Sequence, residues 1–323
     1  MKAAVLHQLG EVPRFEEFPD PVPQEGQLLI HVKAAAIKNL DKIRASGRHY
    51  ASHEQLPTVV GIDGVGRLED GRRVYTTGMT GMVAEKALVL PANLVPIPDG
   101  LSDVTAAALP NAVMGAALAL LHRAQLKAGM VVLINGATGV TGQLAVQLAR
   151  YYGASRIIVT GRNAESLEKL KTLGADAIIS LRQDDETIGK QLKAVHASTP
   201  IDVVIDYLWG HPIEIILKAL MGGGIGRFTH PVRIVTVGSM AGETISLSSG
   251  SLRSSAIEIL GSGLGSLPAT AYQQMNSDIL PELFRLAAAG SLKLETEVRP
   301  LSDVSAAWQQ EIAPGKRLVI TIS

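Results

Sequence analysis

Glycines at three-residue spacing carry the strongest chemical signal in this sequence. In Val131-Val132-Leu133-Ile134-Asn135-Gly136-Ala137-Thr138-Gly139-Val140-Thr141-Gly142 an apolar strand pattern runs into a glycine turn, and a helical pattern follows over 142–152. Glycine lets the backbone turn sharply, approach a pyrophosphate with no Cβ in the way, and bring a helix close to a sheet. A phosphate placed there meets free N–H groups and the positive end of a helix dipole. Gly136, Ala137, Thr138, Gly139, Val140, Thr141 and Gly142 are therefore candidate dinucleotide-binding residues. The spacing is Gly-x-x-Gly-x-x-Gly rather than Gly-x-Gly-x-x-Gly, so the strand-to-helix setting carries the assignment. The alternative is a set of glycines that serves only tight packing in a ligand-free α/β domain.

The next apolar run, Arg156-Ile157-Ile158-Val159-Thr160, ends where a ribose-reading residue belongs, and Thr160-Gly161-Arg162 follow there. An NAD site carries an acidic residue at this place to bond the ribose 2′-hydroxyl. A guanidinium instead pairs bidentately with a 2′-phosphate, so Thr160, Gly161 and Arg162 point to NADP(H). A solvated arginine at a helix start is the plain alternative.

Other chemistries are thinly represented. The chain has no cysteine, which removes disulfides, thiolate catalysis and thiolate-held zinc. Its eight histidines are scattered with no His-Glu-x-x-His cluster, so no metal site is expected. Thirty basic residues balance thirty acidic ones, leaving no overall positive field for nucleic acid. The first residues, Met1-Lys2-Ala3-Ala4-Val5-Leu6-His7, do not read as a signal peptide, and no uninterrupted apolar stretch reads as a membrane span. A cytoplasmic protein without membrane contact is the expectation.

The elements that must position the glycine turn follow from periodicity. Residues 2–89 read as short strands broken by Pro and Gly, among them Leu28–Lys33 and Val83–Val89. Residues 101–124 turn helical, with Ser102 as N-cap, Thr105 behind it, and a second helix starting at Pro110-Asn111. From Val131 aliphatic runs alternate with helical segments, the pattern of a doubly wound parallel sheet: Val131–Asn135, Arg156–Thr160, Ala177–Ser180, Val203–Ile205, Arg233–Val237 and Ile257–Leu260. Met221–Gly226 reads as a flexible loop, Tyr272–Ala289 as a long helical stretch, and Arg317–Ile322 as a closing strand.

Gly61-Ile62-Asp63-Gly64-Val65-Gly66, Ile97-Pro98-Asp99-Gly100-Leu101-Ser102, Ala106-Ala107-Ala108-Leu109-Pro110 and Gly315-Lys316-Arg317-Leu318-Val319 surround the glycine motif in order. Together they resemble the medium-chain dehydrogenase/reductase superfamily over nearly the whole chain. The resemblance implies an α/β protein with a GroES-like β-rich catalytic domain, residues 1–118 and 268–323, plus a Rossmann-type doubly wound parallel sheet that binds NADP(H), residues 119–267. Zinc-using members carry a Gly-His-Glu segment that reads Gly61-Ile62-Asp63 here. The similarity is therefore to the zinc-free quinone oxidoreductase branch: hydride transfer to a quinone or an α,β-unsaturated carbonyl, a conjugated acceptor that needs no Lewis acid. A cofactor-binding redox sensor without turnover is the alternative.

By the same resemblance, Val237, Gly238 and Ser239 line the nicotinamide pocket and Gly261, Ser262 and Gly263 approach cofactor or substrate, with an ordinary strand-end turn as the plain alternative for each, and Tyr207 covers the nicotinamide face or packs. Lys38–Gly47 resembles the family's Asn-x-x-Asp-x-x-x-Arg-x-Gly segment, with Lys38 on the asparagine position and Arg44 one residue early. Asn39, Asp41, Arg44 and Tyr50 become the catalytic candidates, against plainer readings of Asn39 as an N-cap, Asp41 with Arg44 as an ion pair, and Tyr50 as a surface tyrosine. The expected partners are a small carbonyl or quinone substrate and a second copy of the chain, paired through Ile257–Leu260.

Overall fold

Aliphatic runs become buried strands in both halves of the chain. The computed structural model describes residues 1–48, 51–222 and 229–323, so Tyr50 and part of the expected glycine loop lie outside the described residues. Two units are formed, Met1–Asn111 with Gln274–Ser323, and Ala112–Gln273. Both divisions fall in helical segments, between Asn111 and Ala112 and between Gln273 and Gln274.

The first unit begins with β1 (Lys2–Leu6), β2 (Arg14–Glu17), β3 (Leu28–Ile37), the short helix α1 (Asn39–Ala45), β4 (Thr58–Val59), β5 (Asp63–Leu68), β6 (Arg73–Thr77), β7 (Lys86–Val89) and β8 (Val95–Pro96). A sheet of order β2-β1-β4 is antiparallel throughout. Helix α2 (Asp103–Leu118) follows, capped as expected by Ser102, whose Oγ accepts from Thr105 N at 3.1 Å.

Pro110 does not start a second helix; it lies inside α2. An interior proline costs a helix about 3 kcal/mol, while each fully buried Leu or Val returns about 1.5–3 kcal/mol. Leu109, Val113 and Leu118 are buried on α2 and keep it continuous. The reading of no membrane-length apolar stretch also needs correction. The helical segment Asp103–Arg123 is long and apolar enough to cross a bilayer, but 67 % of its apolar window is buried inside the fold, as in a core helix.

The second unit is a six-stranded parallel sheet built from β9 (Val131–Asn135), β10 (Arg156–Gly161), β11 (Ala177–Ser180), β12 (Val203–Asp206), β13 (Val232–Thr236) and β14 (Ile257–Gly261). The helices α3 (Val140–Tyr151), α4 (Ala164–Thr172), α5 (Asp185–Ser198) and α6 (Gly210–Leu220) connect β9 to β10, β10 to β11, β11 to β12 and β12 to β13. Strands β9 and β12 are buried along their whole length, which is why they read as uninterrupted apolar runs. The strand order β11-β10-β9-β12-β13-β14 reverses direction between β9 and β12, the kind of switch point where open α/β sheets take ligands at the carboxyl ends of their strands.

The chain then returns to the first unit. Its final strands, β15 (Glu295–Pro300) and β16 (Lys316–Thr321), complete a larger sheet of order β15-β16-β3-β5-β6-β8, with β7 also pairing with β3. The expected long helical stretch is a short helix, Ala269–Gln274, a π-helical turn, Met275–Ile279, and a second helix, Leu280–Ala288.

Candidate cofactor site and buried charge cluster

The glycine turn joins β9 to α3. Gly136 has φ +83°, and a Cβ there would stand 2.7 Å from Leu208 Cγ; a Cβ on Gly142 would stand 2.5 Å from the Ala137 Cα. Both positions therefore need glycine, one for its backbone angle and one for close approach. Gly139, the N-cap of α3, has nothing within 4 Å of its Cβ direction. The donors in the turn are unequally committed. Gly136 N donates to Thr160 Oγ1 at 3.1 Å and Ala137 N to Thr160 O at 2.9 Å. A phosphate must then rely on the N–H groups from Thr138 onward and on the first turn of α3, whose leading N–H groups have no partner within the helix.

Three polar side chains end three buried strands beneath this turn. Thr160 Oγ1 donates to Asn135 Oδ1 at 2.5 Å, and Asn135 Nδ2 donates to Asp206 Oδ1 at 2.7 Å. The last bond spans the switch point, since Asp206 and Asn135 face each other in register. Burial pushes the Asp206 carboxyl above its ordinary range, against the opposing bonds from Leu208, Asn135 and Trp209. Asn135 and Asp206 were not among the expected site residues, although a lone polar residue closing an apolar strand was the available signal.

Val237 N and Gly238 N both donate to Asp206 O, at 2.7 and 3.3 Å, and Ser239 Oγ donates to Glu243 Oε1 at 2.6 Å. The Tyr207 hydroxyl is buried without a hydrogen-bond partner, and burial pushes its pKa up. Ser262 N donates to Thr236 O at 2.8 Å, so 261–263 lie beside the end of β13. The structure thus gathers 136–142, 160–162, 206–210, 237–239 and 261–263 at the carboxyl edge of one sheet.

Arg162 is exposed just beyond β10. Its carbonyl oxygen accepts from Arg182 Nε at 2.7 Å, while Leu181 N bonds Gly161 O at 2.8 Å. A second arginine, missed in the sequence because it follows β11, is anchored beside Arg162.

In the first unit the Lys38 segment is closed on itself. Lys38 Nζ donates to Asp63 Oδ1 at 2.6 Å and Ala36 O at 3.0 Å, and lies 3.2 Å from Asp41 Oδ2. Asp41 Oδ1 accepts from Ile62 N at 3.1 Å, and Asp63 Oδ2 from the Tyr75 hydroxyl at 3.0 Å. Burial pulls the Lys38 ammonium down, but Asp41 and Asp63 outweigh it and its pKa is raised. Burial likewise pushes Tyr75 well up, with Asp63 adding to it. Arg317 is lowered by burial, opposed by Asp63 and Asp41, and its Nε has no hydrogen-bond partner.

The N-cap of α1 is Lys38, not Asn39, because Lys38 has extended backbone and its N–H donates to Asp41 Oδ2 at 2.8 Å; Asn39 is exposed. The Asp41–Arg44 ion pair is not the arrangement either. Asp41 is held by Lys38, while Arg44 Nε donates to Ala51 O at 2.7 Å.

The zinc-binding dehydrogenase family model matches residues 140–280. A quinone oxidoreductase of Sus scrofa is 31% identical over 230 residues, 68% of this chain and 66% of that protein's length. A probable NADPH-dependent quinone reductase of Emericella nidulans is 27% identical and aligns over 95% of this chain and 96% of its own. The crystal structure of the quinone oxidoreductase from Thermus thermophilus, solved also in complex with NADPH, superposes with TM-score 0.78 at 27% identity, over 99% of this chain and 100% of that one. This chain belongs to the medium-chain dehydrogenase/reductase superfamily, in its quinone-oxidoreductase-like branch.

Within that superfamily a zinc ion is the natural question, and the donors among the described residues do not fit one. There is no cysteine, residue 62 is isoleucine, and the two buried carboxylates nearby have Lys38, Tyr75 and Ile62 N on their oxygens. Among the described residues no group of three His, Cys, Asp or Glu is placed to hold a metal.

Proposed function

We propose that this medium-chain reductase is a zinc-independent, NADPH-dependent oxidoreductase acting on a quinone or an α,β-unsaturated carbonyl. The observation that carries the reading is the glycine turn at the switch point with Arg162 and Arg182 at the adjacent strand ends. The names of relatives that reduce quinones with NADPH, and of a chloroplastic alkenal/one oxidoreductase of Arabidopsis thaliana 34% identical over 186 residues, support it.

Bound NADPH supplies the hydride. The chain's own contribution is to cradle the pyrophosphate on 138–142, to pair the 2′-phosphate with Arg162 and Arg182, and to border the nicotinamide with 237–239 and Tyr207. Positioning of this kind does much of the catalysis when the acceptor is conjugated, because charge developing at carbon is already shared with oxygen. Lys38, with acceptors on all sides, is a poor proton donor to substrate. Asn39, which is exposed, can give the acceptor oxygen an amide hydrogen bond, while the proton itself comes from Tyr50 or from solvent. The active species is a cytoplasmic homodimer joined through β14, whose Ile257 and Ile259 are only partly buried on an edge strand. A monomer by light scattering would remove that part.

Stopped-flow absorbance of NADPH mixed with the protein and a panel of quinones and enones, with and without a chelator, tests the proposal. Expected is NADPH oxidation that survives the chelator and exceeds that with NADH. Loss with the chelator would overturn zinc independence, equal use of NADH the role of the arginines, and tight binding without turnover would favour the redox sensor.

A further inference from the structure

Asp206 ends β12 fully buried, with both oxygens engaged. Oδ1 accepts from Asn135 Nδ2 at 2.7 Å, Leu208 N at 3.0 Å and Trp209 N at 3.2 Å, and Oδ2 lies 3.1 Å from Trp209 N. The turn it holds is strained. Trp209 has φ 53° and ψ −157°, a conformation left almost entirely to glycine, and Gly210 follows at φ 56°. Two things keep a tryptophan there: its side chain packs on the core cluster that includes Ile213 and Ile216, and its N–H is fixed by Asp206.

The strained turn leans on the cofactor turn. Leu208 stands so close to Gly136 that any Cβ at 136 would meet its Cγ at 2.7 Å. From its other side Asp206 reaches the same turn through Asn135 and Thr160, whose Oγ1 accepts Gly136 N.

We propose that Asp206 is a positioning residue for the dinucleotide site, holding the strained Leu208-Trp209 turn against Gly136 while fixing that glycine through Asn135 and Thr160. This rests on the assignment of the glycine turn to NADPH. Asp206 has no contact with cofactor or substrate in this role, so its loss shows in cofactor affinity and not in the rate at saturation.

The test is a cycle of four full-length proteins: the parent, Asp206→Asn, Trp209→Gly and the double variant. Isothermal titration with NADPH and steady-state rates with a quinone are measured on each. Asp206→Asn is expected to raise both the NADPH Kd and its KM on the order of tenfold, the scale of one strained residue, with kcat changed less than about twofold. Glycine adopts the Trp209 conformation unaided, so the double variant should regain at least about threefold of the lost affinity. Strictly additive losses, or an Asp206→Asn protein that binds NADPH like the parent, overturn the proposal. Should Asp206→Asn not fold, Asn135→Ala carries the test, with the same rise in Kd expected and unchanged affinity again overturning it. Failure of the cofactor assignment looks different: the parent itself then binds no NADPH, whatever the variants do.

Discussion

Two buried polar networks, one in each unit, are made of similar parts and end differently. In the first unit Lys38, Asp41, Asp63 and Tyr75 bond mainly one another, and their remaining partners, Ala36 O, Lys38 N and Ile62 N, are backbone groups at the end of β3 and the start of β5. In the second, Thr160, Asn135 and Asp206 spend their remaining bonds on the backbone of two loops, the glycine turn and 207–210. A closed network holds strands together and has nothing left for a ligand. An open one sets the shape of the loops around it.

The largest effect should come from breaking the closed network. Lys38→Met leaves two buried carboxylates without their cation, and chemical denaturation should show a loss of about 3–5 kcal/mol. The Lys38 pKa is raised, so its contribution is full at and below the ordinary 10.5 and disappears only as pH climbs through the higher folded value. The gap between wild type and variant should therefore persist at neutrality and close only in strong alkali. A Lys38→Met protein of normal stability that has lost turnover would show that this cluster is catalytic after all.

Next come the arginines outside both networks. Arg162→Ala and Arg182→Ala should each take about 1.5–3 kcal/mol from the preference for NADPH over NADH, read as the ratio of kcat/KM values, with stability within about 0.5 kcal/mol of the parent. Gly142→Ala, forced against the Ala137 backbone, should destabilise by about 1–3 kcal/mol and lose NADPH binding. Gly139→Ala meets open space, so thermal melts should stay within about 0.5 kcal/mol of wild type while NADPH affinity still falls. That contrast separates packing from ligand approach inside one turn.

The smallest expected effect is the pH signature of Asp206. Its folded pKa is raised by burial, so its contribution is present below the ordinary 3.8 and is lost as pH rises through the folded value. Relative to Asp206→Asn, the parent should lose stability in melts taken from about pH 4 upward.

Much of the second unit was legible in the sequence because fully buried parallel strands leave uninterrupted runs such as Val131–Ile134, and glycines at a strand-to-helix junction have few other uses. Pro110 misled because tertiary burial of α2 overrode a local rule. Asp206, Asn135 and Arg182 were missed for another reason. Their roles depend on which strands become neighbours: β12 beside β9, and β11 beside β10. No periodicity within a single strand reports that. In the first unit, the plain readings of Lys38–Gly47 gave the cap to Asn39 and an ion pair to Asp41 with Arg44, and both fail because the spacing does not show that Lys38 lies between two buried aspartates.

The chain contains two tryptophans, and the fold gives one to each unit: Trp209 in the second, and Trp308 buried in the core of the first. Each unit thus carries its own intrinsic fluorophore. With Trp308→Phe the remaining emission belongs to the 207–210 turn alone, and with Trp209→Phe to the first unit alone. Melting curves from the two proteins would show whether the units unfold together or in sequence, and energy transfer on adding NADPH would be read from a turn that packs against Gly136.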